Sequence, residues 1–185
     1  MGLYDEREDA ELIDVFRAGD KHAFDLLVEK YQYRVLRIIY HMVRDLGDSY
    51  DLTQEVFLRA FQSLDQFRGD SRFYTWLYRI AINLAKNYLM DKHRLPLTLD
   101  GPNGWREKNS EINTPEGELI SHETEIQLWA ILDHLPLEVR TAIMLRDQEG
   151  KTYEEIAEIM NCPIGTVRSR IFRARLAIDR GIHFE

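Results

Sequence analysis

The chain has 185 residues, 44% of them apolar and 30% charged, which is enough to build a core and excludes disorder throughout. Its 32 acids against 24 bases set a formal net charge of -8, which argues against a generic nucleic-acid binder unless charge is concentrated locally. A single cysteine excludes an intrachain disulfide, and no His pair has the spacing to complete a zinc site with it. Met1 to Ala10 is acidic and lacks the apolar segment of a signal peptide. The longest apolar stretch, Val35 to Val43, is broken by Arg37 and His41 and is too short to span a bilayer. These features predict a cytoplasmic protein.

Taken in chain order, the pattern predicts helix nearly throughout. Ala10 to Ala18 reads as a short helix stopped by Gly19, with Asp20 able to cap the next. Phe24, Leu27, Tyr31, Val35, Ile38 and Met42 then recur at helical spacing, and Gly47 closes that stretch. Asp51 with Gln54 has the spacing of a capping box, opening a helix whose apolar face is Leu52, Val56, Ala60 and Leu64. Phe67 to Asp70 forms a turn, and Asp70 or Ser71 caps a helix to about His93. No segment alternates with period two, so no strands are expected.

At Leu95 the texture changes. Pro96, Gly101, Pro102 and Gly104 break regular structure. From Asp100 to Glu125 there are seven acids and two bases, net -5, the composition of a linker. Thr114-Pro115 marks the return of helix. Pro136 opens a further helix through Arg146, ended by Gly150. Thr152 with Glu155 is a capping box for a short helix, Asn161-Cys162-Pro163 turns the chain, and Ile164 to about Arg180 is the last helix. The expectation is an all-α chain with two small helical domains, residues 8–94 and 114–183, joined by an acidic linker over 95–113.

Two helical stripes carry candidate chemistry. In the last helix Ile164, Val167, Ile171, Ala174 and Ile178 form a buried seam. The other side offers Arg168, Ser169, Phe172 and Arg173, with Arg170 and Arg175 flanking, and Ile164 to Gly181 has five Arg against one Asp, net +4. A short helix, a three-residue turn and an Arg-rich helix is the helix-turn-helix pattern, whose second helix enters the major groove. There Arg pairs bidentately with guanine and an exposed Phe meets a thymine methyl. The plainer reading is a solvated cationic helix closing a bundle.

The helix after Ser71 has a core seam of Phe73, Leu77, Ile80, Leu84 and Tyr88. Beside it run Arg72, Trp76, Arg79, Asn83 and Lys86. Cations follow a phosphate backbone, an aromatic stacks on an unpaired base and an amide reads a base edge, so this stripe suits single-stranded or melting DNA. It equally suits a helix whose Trp is core and whose cations keep it in solution. Arg68 to Arg94 has six bases and two acids, net +4, so the excess acid lies elsewhere, in the N-terminal stretch and the linker.

Asp51 to Phe57, the Phe67-Arg68-Gly69-Asp70-Ser71 turn and Phe73 to Ala81 resemble the second conserved region of bacterial sigma factors. Tyr153 to Ala157 with Cys162 to Arg170 resembles the fourth. With no room for the other regions, the chain resembles the extracytoplasmic-function sigma factors, most nearly the sigma-E envelope-stress group. The resemblance implies a promoter-specificity subunit of RNA polymerase, not an enzyme, with no cofactor and no metal. It implies that Asp51, Gln54, Glu55, Arg59 and Gln62 bind the clamp helices of the polymerase beta-prime subunit, and that the fourth region meets the beta flap. It implies that Phe67, Arg68, Gly69, Asp70 and Ser71 pocket a flipped minus-ten base, and that Asn83 helps to read it. It implies minus-thirty-five readout by Arg168, Ser169, Arg170, Phe172 and Arg173. Partners then include core RNA polymerase, promoter DNA and an anti-sigma factor, often membrane-anchored in this family. The linker would thread toward the active-site cleft, with Trp105 either anchored there or docked on the body.

Three rivals are weighed. A helix-turn-helix regulator with a helical sensor domain explains the last helix but not the Trp-bearing stripe or the Gln54-Glu55 face. A carboxylate-bridged metal bundle needs Glu-x-x-His, and none of the six His stands three residues after a Glu. A redox role for Cys162 competes with a small residue packed in a tight turn.

Overall fold

The computed structural model describes residues 3–94, 130–132 and 134–182. Described residues are helical or lie in turns, with no strand among them. The linker, Trp105 and most of the helix expected after Thr114-Pro115 lie outside the described residues; only residues 130–132 of that helix fall within them.

Helix α1 runs Leu3–Arg17, starting earlier than the expected Ala10. Its inner face buries Ile13 and Phe16. Asp9 is also buried, because it accepts from the Tyr31 hydroxyl at 2.5 Å and from Lys30 Nζ at 2.7 Å. Helix α2, His22–Val43, buries the expected stripe from Phe24 to Met42. Asp20 is not its cap residue. The boundary falls on Lys21, and the Asp20 carboxylate accepts instead from the His22 amide at 3.0 Å.

The α2–α3 junction differs from the expectation. Helix α2 stops four residues before Gly47: Arg44 takes a left-handed conformation, φ 61°, and donates its amide to the Tyr40 carbonyl at 2.8 Å. Asp45 is then extended and caps α3, Leu46–Ser63, accepting from the Asp48 amide at 2.9 Å. Gly47 sits in the first turn of α3, and Asp51 and Gln54 are in its middle, so they form no capping box. Buried Val56, Ala60 and the following Leu64 confirm the expected apolar face; Leu52 is only partly covered.

A 3-10 turn, Leu64–Gln66, leads into the loop before α4, Phe73–Arg94. The first bond of α4 runs from the Trp76 amide to the Arg72 carbonyl, 3.2 Å, which places the boundary on Arg72 rather than on Asp70 or Ser71. Helices α1 to α4 pack as a bundle around α2.

The second unit consists of α5, Leu137–Asp147, α6, Tyr153–Met160, and α7, Ile164–Ile182. Both halves of the Thr152–Glu155 capping box form: the Glu155 amide donates to Thr152 Oγ1 at 3.2 Å and the Thr152 amide to Glu155 Oε2 at 2.8 Å. Asn161, φ 49°, ends α6 in the left-handed region that Asn tolerates. Three residues later α7 begins; of its expected seam Val167, Ile171 and Ala174 are buried against α5 and α6, while Ile164 and Ile178 are only half-buried. The two units touch: α4 packs on α6 and α2 on α5, and their buried side chains join in one apolar cluster.

Candidate nucleic-acid and polymerase interface

On α3 the residues opposite the core are Asp51, Gln54, Arg59 and Gln62, all exposed, and half-buried Glu55. Arg59 Nε donates to Glu55 Oε1 at 2.6 Å, an i,i+4 pair that holds both heads on this face. The same face carries Leu58, 52% exposed, which the sequence did not single out. A leucine at helical spacing is indistinguishable from core until neighbouring helices are placed.

The α4 stripe forms as one line, but its members differ. Arg79 and Asn83 are exposed and Lys86 is half-buried. Trp76 is half-buried, with its ring 5.2 Å from Phe67 and 5.8 Å from Phe73. Both readings of Trp76 therefore hold in part: one side of the indole packs on the core edge and the remainder faces outward. In the loop, Arg68, Gly69 and Asp70 are exposed while Phe67 and Ser71 are half-buried. Gly69 has φ 76°, a turn geometry that favours glycine. Arg17 of α1 reaches across to donate to the Phe67 carbonyl, and so pins the loop. That contact joins positions fifty residues apart and leaves no local trace in the sequence.

Arg72 is placed differently from the rest. Its guanidinium bonds Glu155 Oε1 at 2.9 Å and the Tyr74 hydroxyl at 3.0 Å. Tyr74 also donates to Glu155. Burial first, then the bond to Glu155, pushes the Tyr74 phenol up to about 12, so it remains a donor at neutral pH. Burial alone would raise the Glu155 carboxyl, but the Tyr74 hydroxyl, the Thr152 amide, Lys151 and Arg72 together hold it below the usual range.

On α7 the side away from the core presents Arg168, Ser169, Phe172 and Arg173, all exposed, Phe172 at 67%. A phenylalanine this open beside guanidiniums is suited to a base edge and not to packing. Arg170 is half-buried and its Nη1 lies 3.4 Å from Cys162 Sγ, turned toward the tight turn. Arg175 pairs with Asp147 of α5 at 3.2 Å. Among the described residues no group of His, Cys, Asp or Glu has the arrangement of a metal site. No helix among them is long and apolar enough to cross a membrane.

Residues 27–95 match the family description "Sigma-70 region 2" and residues 125–178 match "Sigma-70, region 4". The chain is 45% identical to the RNA polymerase sigma-H factor of Pseudomonas aeruginosa, over 96% of this chain and 95% of that one. It is also 45% identical to the ECF RNA polymerase sigma-E factor of Escherichia coli K12, over 97% of each. In fold it is similar to CnrH solved with the cytosolic domain of CnrY, TM-score 0.69 at 22% identity, covering 94% of this chain and 96% of that one. It is likewise similar to the sigma factor RpoE solved with the anti-sigma factor NepR from Bartonella quintana, TM-score 0.69 at 23% identity, covering 88% and 98%.

Proposed function

The chain belongs to the extracytoplasmic-function sigma factors, the promoter-specificity subunits of RNA polymerase, and from this we propose how its surfaces divide the work. The outer face of α3, with Asp51, Gln54, Glu55, Arg59 and Gln62, docks on the beta-prime clamp helices. The Phe67 to Ser71 loop and the α4 stripe of Arg72, Trp76, Arg79, Asn83 and Lys86 read and open the minus-ten element. Arg168, Ser169, Phe172 and Arg173 read the minus-thirty-five duplex, and Arg170 braces the turn. Residues 8–94 and 114–183 act as the two functional domains, with 95–113 as linker. The chain works in the cytoplasm on an envelope or extracytoplasmic stress regulon, under an anti-sigma factor.

The observation that carries this reading is the pairing of two unlike stripes in one chain. One sets a half-buried indole among cations and an amide, suited to unpaired bases; the other sets open guanidiniums and a phenyl on a helix-turn-helix, suited to duplex edges. Net negative charge fits a subunit that reads promoters only when polymerase supplies the non-specific attraction. A regulator acting apart from polymerase is set aside, because the similarity to named sigma factors runs over nearly the whole chain.

The test is run-off transcription with core polymerase on duplex and pre-melted promoters in parallel. Arg168→Ala is expected to relax upstream preference, at a cost of about 1–3 kcal/mol at its base, with little rescue by pre-melting. Asn83→Ala blurs the downstream preference. Trp76→Ala slows opening and is rescued by pre-melting; a thermal melt accompanies it because the ring also packs on Phe73. Equal rescue of Trp76→Ala and Arg168→Ala refutes the division.

A further inference from the structure

Helix α1 ends on Arg17, whose guanidinium meets the start of the Phe67 to Ser71 loop. One nitrogen, Nη2, donates to two backbone carbonyls: to that of Phe67, and at 3.5 Å to that of Leu64. Leu64 follows α3 and Phe67 follows the 3-10 turn, so both oxygens close a helical run, where a cation is favoured. The other terminal nitrogen, Nη1, pairs with Asp14 at 3.8 Å, one turn back on α1.

Phe67 is thereby held at its amide, its ring and its carbonyl. The amide donates to the Leu64 carbonyl at 3.1 Å, and the ring lies 5.2 Å from that of Trp76 and 6.1 Å from that of Phe73. Only the carbonyl bond ties the loop to α1. Its effect reaches the next residue. The Phe67 carbonyl and the Arg68 amide share one rigid peptide plane, so holding the oxygen also fixes where the Arg68 N–H points. Beyond that plane Arg68, Gly69 and Asp70 are exposed, and a glycine turn of this kind loses much conformational freedom when it closes on a ligand.

Given the reading above in which this loop takes a minus-ten base, on which this inference rests, we propose that Arg17 is a positioning residue for minus-ten base selection. From α1 it presets the loop through the Phe67 carbonyl and does not touch the base. Presetting removes part of the ordering cost of binding, and only for a base that fits the preset shape, so the gain appears as discrimination between bases. The Arg17 side chain is 39% exposed and its acceptors are backbone atoms of one segment, so its loss spares the core. The rival role for an open arginine beside the loop is a phosphate contact, which positions the strand but carries no base preference.

The test compares Arg17→Met with Arg17→Lys in the full chain. Both keep an unbranched stem, and only Lys keeps a donor at its tip. Run-off transcription is measured at saturating core polymerase on promoters carrying each of the four bases at every minus-ten and minus-thirty-five position. Arg17→Met is expected to flatten the preference at one minus-ten position about three- to tenfold, the worth of one hydrogen bond. Minus-thirty-five preferences and affinity for core polymerase stay as in the wild type, and Arg17→Lys retains most of the lost preference. In the free chain, amide exchange at Arg68 and Gly69 quickens in Arg17→Met, while that of buried Val56 and Ile82 does not. A lost phosphate contact would instead weaken all sequences alike and reduce the salt slope by about 1. That result, equal behaviour of Lys and Met, flattening at minus-thirty-five as well, or an Arg17→Met chain that does not fold overturns the proposal. A wild type without preference at any minus-ten position refutes the functional reading, and the positioning role falls with it. A selective wild type whose preference survives Arg17→Met defeats the positioning role alone.

Discussion

His41 offers a quantitative test of how the two units meet water and charge. It sits near the end of α2, 8% exposed, with its ring 5.8 Å from that of Tyr40. Burial first, and then the positive charges of Arg44, Arg37 and Arg140, lower its pKa from 6.5 to about 3. The folded chain therefore keeps His41 neutral while the unfolded chain protonates it below about pH 6.5. The unfolded state binds the extra proton, so stability falls as the pH drops from 6.5 toward 3. At about 1.4 kcal/mol per pH unit, a drop to pH 5 removes about 2 kcal/mol. The measurement is urea unfolding of the wild type and His41→Gln at pH 7 and pH 5, with the ring proton of His41 followed by NMR. Gln cannot take up the proton, so the wild type should lose about 2 kcal/mol more than the variant over that interval, and the His41 resonance should stay that of a neutral ring down to pH 5. Equal losses in both proteins, or a His41 titration centred near pH 6.5, refute the argument.

Gln54→Ala combined with Glu55→Ala should leave the circular dichroism of the chain intact, because only the exposed Glu55–Arg59 pair is lost, worth about 0.3–0.5 kcal/mol. The same variant should compete poorly for core polymerase, and undiminished competition means that α3 does not dock there. Gly181→Ala should lower the melting temperature: a Cβ there would stand 2.3 Å from Ile131 Cδ1 and 2.7 Å from its Cγ1. Overpacking of about 1–3 kcal/mol outweighs at most about 1 kcal/mol gained in helix propensity. A rise in melting temperature overturns this account.

What was legible in the sequence follows the range of each interaction. The seam of Val167, Ile171 and Ala174 and the Thr152–Glu155 box depend on spacings of three and four residues, and both appear as read. The α2–α3 boundary was misplaced because Asp51 and Gln54 match a cap pattern that also occurs inside helices. The true cap, Asp45, is preceded by Arg44 in a left-handed conformation, which an Arg rarely signals. Gly47, read as a stop, lies in the first turn of α3, where glycine's conformational freedom costs less than in a helix interior. The stripes on α4 and α7 were legible as periodic patterns, while the pairing of Arg72 with Glu155 was not. It joins positions 83 apart, and each residue alone looks like an ordinary surface charge.

The two oxygens of Glu155 have separate tasks. Oε2 accepts from the Thr152 amide at the start of its own helix, and Oε1 meets Arg72. The bond to its own helix start holds the side chain in place independently of its contact with the first unit. The contact with Arg72 then costs rotamer freedom of the arginine but not of the glutamate, and ordering a long side chain at an interface costs about 0.5–1.5 kcal/mol. A receptor group that arrives pre-set makes a contact selective in geometry and also strengthens it, by the ordering cost that it avoids.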